Sequence, residues 1–252
     1  MIKVENLRKV YRVGDEKVVA LDNISVKIEK GEFCCIVGTS GSGKSTLLNM
    51  LAGLEKPTKG KVRINGQLVS KMTEKELAKF RQENIGFIFQ SYNLMPTLTA
   101  TENVAFPLLF KGMDRDIREK KAKKMLKEMG LGDRLNHKPG EMSGGQQQRV
   151  GIARAFVGRP NVIFADEPTG NLDSATTEQV MKMLLDISQQ NNITFVMVTH
   201  DPELAQMAPR VITLKDGRVV SDMKDGVSLL EQDLMPEQKN ETEIISTQTA
   251  EQ

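Results

Sequence analysis

The chain of 252 residues is short of cysteine, of net charge and of long apolar runs, and each shortage removes a class of protein. Its two cysteines, Cys34 and Cys35, are adjacent. On a strand such neighbours point to opposite faces, so they are poorly placed to pair, and a metal site would need more ligands than lie nearby. Both read as buried, reduced core residues. Lys and Arg total 35 against 33 Asp and Glu, a formal net charge of +2, which makes no electrostatic case for a nucleic-acid partner. No stretch approaches the roughly 18 to 20 consecutive apolar residues of a membrane helix, so any membrane role is expected to be peripheral. The N-terminus, Met1-Ile2-Lys3-Val4-Glu5-Asn6, enters strand-like alternation without a secretory apolar region, and this predicts a cytosolic chain. The length is nonetheless enough to bury a substantial interior.

What the chain does have is a glycine-rich loop in a telling place. Gly38-Thr39-Ser40-Gly41-Ser42-Gly43-Lys44-Ser45 follows the apolar run Phe33 to Val37 and precedes the helix-like Thr46-Leu47-Leu48-Asn49-Met50-Leu51-Ala52. Glycines let the backbone turn tightly and aim N–H groups at phosphate oxygens, and the following helix adds the positive end of its dipole. Lys44 would reach the phosphates and Ser45 would ligate Mg²⁺. The nine residues from Gly38 to Thr46 are therefore candidate binders of ATP or GTP.

The rest of the chain fits an α/β protein built on a phosphate-loop core. Residues 1 to 32 alternate apolar and polar, and Gly60 to Val69 holds an Asn65-Gly66 hairpin, which together predict an antiparallel β subdomain beside the core. Thr73-Glu74-Lys75-Glu76 has capping-box spacing and opens a helix. A helical lobe is expected over about residues 92 to 158; Asp114 begins a segment in which Ile117, Ala122, Met125, Leu126 and Met129 form one apolar stripe. One folded domain is expected to fill residues 1 to 223. The acidic, polar stretch 224 to 252 reads as a mobile tail, in which Leu229, Leu230 and Leu234 have the spacing to dock as one short helix.

Four short apolar strands end in polar groups: Phe33 to Val37 in the phosphate loop, Ile85 to Phe89 in Gln90, Val162 to Ala165 in Asp166-Glu167, and Thr194 to Val198 in Thr199-His200. Alternation of such strands with helices predicts a parallel sheet, and in open parallel sheets ligands bind beyond the carboxyl ends of the strands. All four sets can thus converge on one nucleotide. A second stretch, Ser143-Gly144-Gly145-Gln146-Gln147-Gln148-Arg149, is a capped helix start with open first-turn N–H groups, and so another anion site.

That stretch resembles the signature motif of ATP-binding cassette ATPases, with the phosphate loop upstream and Asp166-Glu167 downstream in the family's order over about residues 1 to 222. The resemblance implies that Ser143, Gly144, Gly145 and Gln146 contact the γ-phosphate of nucleotide held by a facing subunit. It further implies that Tyr11 stacks on adenine, Gln90 touches Mg²⁺ and the attacking water, Asp166 holds Mg²⁺, Glu167 activates the water, and His200 binds the γ-phosphate. Asn93 to Val104 and Gly170 to Ser174 are most similar to the lipoprotein-release and macrolide-export branch. The expected protein is an ATP-hydrolysing homodimer on the cytoplasmic face of the membrane, driving a separate integral-membrane permease for lipoprotein, peptide or drug. A soluble cassette ATPase without a permease, and an ATP-dependent regulator of a membrane protein, remain open as alternatives. The loop Ser91 to Thr101, with Tyr92, Leu94, Met95 and Leu98, is expected to expose apolar side chains for docking to the permease.

Overall fold

The computed structural model describes residues 1–230. The N-terminal alternation folds into β1 (Ile2–Val13) and β2 (Glu16–Ile28), a long antiparallel hairpin. With β4 (Lys59–Ile64) and the stub β5 (Gln67–Leu68) it makes a four-stranded sheet in the order β2-β1-β4-β5. The expected Asn65-Gly66 turn joins β4 to β5, both residues lying at positive φ (50° and 80°), as a two-residue hairpin of this type requires.

The second sheet has seven strands in the order β11-β10-β9-β3-β8-β7-β6. Its parallel part comprises β3 (Phe33–Val37), β6 (Ile85–Phe89), β7 (Val162–Asp166), β8 (Thr194–Thr199) and β9 (Arg210–Lys215). These strands are short and almost wholly apolar because both faces are covered; all of β8 is buried. Cys34 and Cys35 belong to the packed clusters on opposite faces of this sheet, as their adjacency on a strand requires. Burial pushes both thiols up, Cys35 to about 12, so neither is a ready thiolate.

Helices α1 (Lys44–Leu51) and α2 (Glu74–Asn84) serve one face, and α2 opens with the expected Thr73–Glu76 capping box. The helical lobe consists of α3 (Ala100–Phe110), α4 (Arg115–Glu128) and α5 (Gly144–Phe156). After β7 come α6 (Ser174–Gln190) and the short α7 (Pro202–Gln206).

Three expectations need correction. Ala122, Leu126 and Met129 of the α4 stripe are buried, but Ile117, in the first turn and ahead of the first buried residue of the helix, is 49% exposed. In the loop before α3, Leu94 packs onto the core and Tyr92 is half-buried, leaving Met95 as the exposed apolar side chain. The fold also continues past residue 223: β10 (Arg218–Lys224) and β11 (Val227–Ser228) form a hairpin on the sheet edge, and the Leu229 N–H donates to the Asp222 carbonyl. Leu229 and Leu230 are not helical, and Leu234 with the rest of the acidic stretch lies outside the described residues.

Candidate nucleotide-binding and hydrolysis site

The loop between β3 and α1 is shaped by glycines where the backbone demands them. Gly41 and Gly43 sit at φ 78° and 100°, and a Cβ on Gly43 would lie 2.5 Å from the Ala20 carbonyl oxygen. Gly43 occupies the N-cap of α1 with no side-chain cap, so the first-turn N–H groups are left for an anion. Lys44 is almost fully buried, and its ammonium donates to the carbonyls of Gly38 (2.8 Å) and Thr39 (2.9 Å), which holds it along the loop. From behind, the Gly217 N–H donates to the Ser42 carbonyl.

Across the loop stands the end of β7. The Ser45 hydroxyl donates to Asp166 Oδ1 at 3.3 Å, which places a hydroxyl and a carboxylate side by side at the mouth of the phosphate loop. Burial pushes the Asp166 carboxyl up, and neighbouring Glu167 adds to this against the Ser45 hydroxyl and Lys44. Such a carboxylate gains from a cation beside it. Glu167 follows at φ 45°, a left-handed conformation unusual for a side chain with a Cβ, fixed by its N–H donating to the Val198 carbonyl of β8. Its Oε1 lies 2.8 Å from His200 Nδ1. A cleft of about 490 Å³ is lined by Ala20, Ser40, Gly41, Gly43, Lys44, Ser45, Thr46, Glu167 and His200.

Gln90, Tyr11 and the Ser143 stretch do not line that cleft. The Gln90 carbonyl accepts from the Asn171 side-chain amide (2.9 Å), and its own amide packs against Gly170, which links its loop to the segment after Glu167. Tyr11 lies at the far end of the β1–β2 hairpin, paired with Val18. Ser143 caps α5 through a reciprocal box with Gln146 (3.3 and 3.0 Å), and the adjacent glycines meet the Tyr92 hydroxyl and Thr176. A phosphate group in the cleft of one chain is thus not shared with the same chain's capped helix.

Several residues that shape the site carry no motif. Arg154 of α5 donates to the carbonyls of Tyr92 (2.7 Å) and Asn93 (2.5 Å), both at positive φ, and so fixes the corner after Gln90. Fully buried Gln148 donates to the Pro168 carbonyl, tying α5 to the loop beyond Glu167. Their partners are 20 or more residues away, and no local spacing announces them.

A glycine loop at the end of β3, a carboxylate pair at the end of β7 two strands away in the same sheet and a separately capped helix define an ATP-binding cassette ATPase. A family model described as "ABC transporter" matches residues 21–170, and the chain belongs to that family. It is 53% identical over 220 residues to the uncharacterized ABC transporter ATP-binding protein MJ1508 of Methanocaldococcus jannaschii, covering 87% of this chain and 98% of that one. It is 45% identical over 233 residues to the macrolide export ATP-binding/permease protein MacB of Rhodopirellula baltica, where 92% of this chain matches but only 34% of MacB. The solved structure of the cassette MJ0796, a dimeric post-hydrolysis state bound to ADP and Pi, superposes with a TM-score of 0.83 at 46% identity, over 89% of this chain and 99% of that one. A second dimeric structure of MJ0796 matches equally well, at 47% identity.

Proposed function

We propose that the chain is the energy-coupling ATPase subunit of a membrane transporter, closing as a homodimer on two ATP molecules and driving a separate permease. The observation that carries this reading is that the phosphate loop, Lys44, Ser45, Glu167 and His200 meet in one cleft, while the capped Ser143 helix start does not line it and is left to serve the cleft of a second copy.

The chemistry divides among named groups. The α1 N-terminus and Lys44 hold the β- and γ-phosphates, and Thr39, Ser40, Gly41, Ser42 and Gly43 supply the loop around them. Ser45 and Asp166, already in contact, fit Mg²⁺ and would hold it together with Gln90 from the next strand end, and the ion would neutralise phosphate charge. Glu167 accepts the proton of the attacking water, and His200, hydrogen-bonded to it, orients that carboxylate and meets the γ-phosphate. Tyr11 stacks on the adenine.

Among the described residues no helix is long and apolar enough to cross a membrane, and in this reading the permease supplies the membrane-spanning part. The relatives named for macrolide export carry an ATP-binding and a permease part in one protein, and this chain matches about a third of such a protein. Attachment is peripheral, at the cytoplasmic face, and the cargo class is lipoprotein, peptide or drug.

The Glu167→Gln variant tests the hydrolytic core. Removing the proton acceptor while keeping size and the Mg²⁺ site should lower turnover about 10²- to 10⁴-fold with ATP binding retained. Sedimentation should then find an ATP-dependent dimer. Turnover near wild type would remove Glu167 from its role, and a strictly monomeric variant with bound ATP would remove the homodimer.

A further inference from the structure

Tyr11 sits near the tip of the β1–β2 hairpin, where Val13 is 65% exposed and Val18, the cross-strand partner of Tyr11, 47%. A ring on such a strand has two rotatable side-chain bonds and little packing to choose among their settings. Its hydroxyl, however, is not free. It donates to Glu55 Oε2 at 2.8 Å, while the Asn49 side-chain amide of α1 approaches Glu55 Oε1 at 3.4 Å and the Lys9 ammonium lies 3.1 Å from Glu55 Oε2. The same ammonium stands over the Tyr11 ring, 4.9 Å from its centroid, and donates to the Lys56 carbonyl (2.9 Å). The segment carrying Glu55 is itself strapped to β1, since the Thr58 hydroxyl accepts from the Val10 N–H and the Thr58 N–H donates to the Arg8 carbonyl.

We propose that Glu55, together with Lys9, is the positioning device for the base-binding ring: the carboxylate anchors the phenol to the helix that begins at the phosphate loop, and Lys9 covers one ring face, so that the other is presented to the nucleotide base. This rests on the reading of Tyr11 as the adenine platform. Two ends of the ring are then fixed, one by β1 and one by Glu55, and the distance from ring to phosphate loop is set by α1 itself. A platform held before the ligand arrives avoids the ordering cost that a free ring would incur on binding. The physical signature is selective: anchoring the ring acts on the base and leaves the triphosphate contacts alone. Supporting the geometry, three partners (Tyr11, Lys9 and Asn49) outweigh burial and hold the Glu55 carboxyl below its usual range, so it stays an ionised acceptor at neutral pH.

The experiment compares ATP with inorganic tripolyphosphate, which has the phosphates but no base, by titration calorimetry on the full chain. Glu55→Ala should weaken ATP about three- to tenfold, a fraction of what a base-on-aromatic stack contributes, and leave tripolyphosphate within about twofold. Glu55→Gln, which keeps an acceptor for the phenol, should restore ATP affinity to within about twofold. Tyr11→Phe should match Glu55→Ala, and the double variant should be no weaker than either single one, since both remove the same phenol–carboxylate anchor. Equal weakening toward both ligands, unchanged ATP affinity, or a Gln variant as weak as Ala would overturn the proposal. Tyr11→Ala separates the two levels of the argument. If it leaves the preference for ATP over tripolyphosphate intact, the platform itself is wrong; if it abolishes that preference while Glu55→Ala does not, only the positioning role of Glu55 falls.

Discussion

At the scale of single residues, the site is held by side chains that spend their hydrogen-bonding capacity on backbone. Asn103, on α3, is buried at 1% exposure. Its Oδ1 accepts from the Met95 N–H at 2.8 Å, and its amide donates to the carbonyls of Met95, Leu98 and Thr99, each at 3.1 Å. One amide thereby shapes the whole Pro-containing turn between Gln90 and the helical lobe. Asn103→Leu keeps the branching and heavy-atom count of the side chain but leaves those groups without a partner in a dry position. The expected loss is about 2–4 kcal/mol of unfolding free energy, readable as a lowered urea midpoint with an unchanged slope. A loss below about 1 kcal/mol would mean that the turn finds other partners and that Asn103 is not its organiser.

Elements decide what a subunit can and cannot complete alone. Helix α5 begins at Ser143 with its N-terminus outside the cleft lined by the phosphate loop, and Tyr92 and Thr176 pack close behind Gly144 and Gly145. A bulky cation there would not touch the chain's own nucleotide but would block the approach of a partner's. Ser143→Arg should therefore bind ATP with affinity near wild type, while dimer closure and hydrolysis are lost; combined with Glu167→Gln, it should sediment as a monomer in ATP. A double variant that still dimerises would contradict the two-subunit site.

This level is also where the sequence was most and least informative. The capping box at Thr73, the N-cap at Ser143 and the Asn65-Gly66 turn are local chemistry, written within four residues, and they appear where expected. The left-handed corner at Tyr92 and Asn93 is not local: it depends on Arg154, 62 residues from Tyr92, and nothing in Tyr92-Asn93 itself demands positive φ. Likewise the apolar spacing of Ile117 was genuine, but whether a stripe residue is buried depends on how far the neighbouring helices reach, which the stripe does not encode.

At the scale of the whole molecule, the parallel sheet is closed off by charge rather than by a further apolar layer. Arg210, at the start of β9, is buried and makes a two-pronged contact with Asp222 of β10 (2.9 and 2.6 Å) and a third bond to Glu32 Oε2 at 2.9 Å. Lys224 completes the group, its ammonium 2.8 Å from Glu32 Oε1. This is why the fold runs beyond residue 223: a domain ending there would leave a buried carboxylate short of a cation. Burial pushes the Glu32 carboxyl up, but Lys224, the Glu29 N–H and Arg210 outweigh it and hold the group below its ordinary value of 4.5. A carboxyl depressed in the folded state contributes stability above its unfolded value, and that contribution fades as pH falls through the folded one. Lys224→Met should raise the Glu32 value toward the ordinary range. The expected penalty is about 1–2 kcal/mol near neutral pH, discounted because the lysine is 40% exposed. It should shrink at about pH 3.5, where the unfolded chain is protonated and the wild-type advantage is itself being lost. Urea denaturation of both proteins at about pH 7 and about pH 3.5 reads this directly. Equal penalties at the two pH values would mean that Lys224 acts by packing its stem on the sheet edge, and that Glu32 does not depend on its charge.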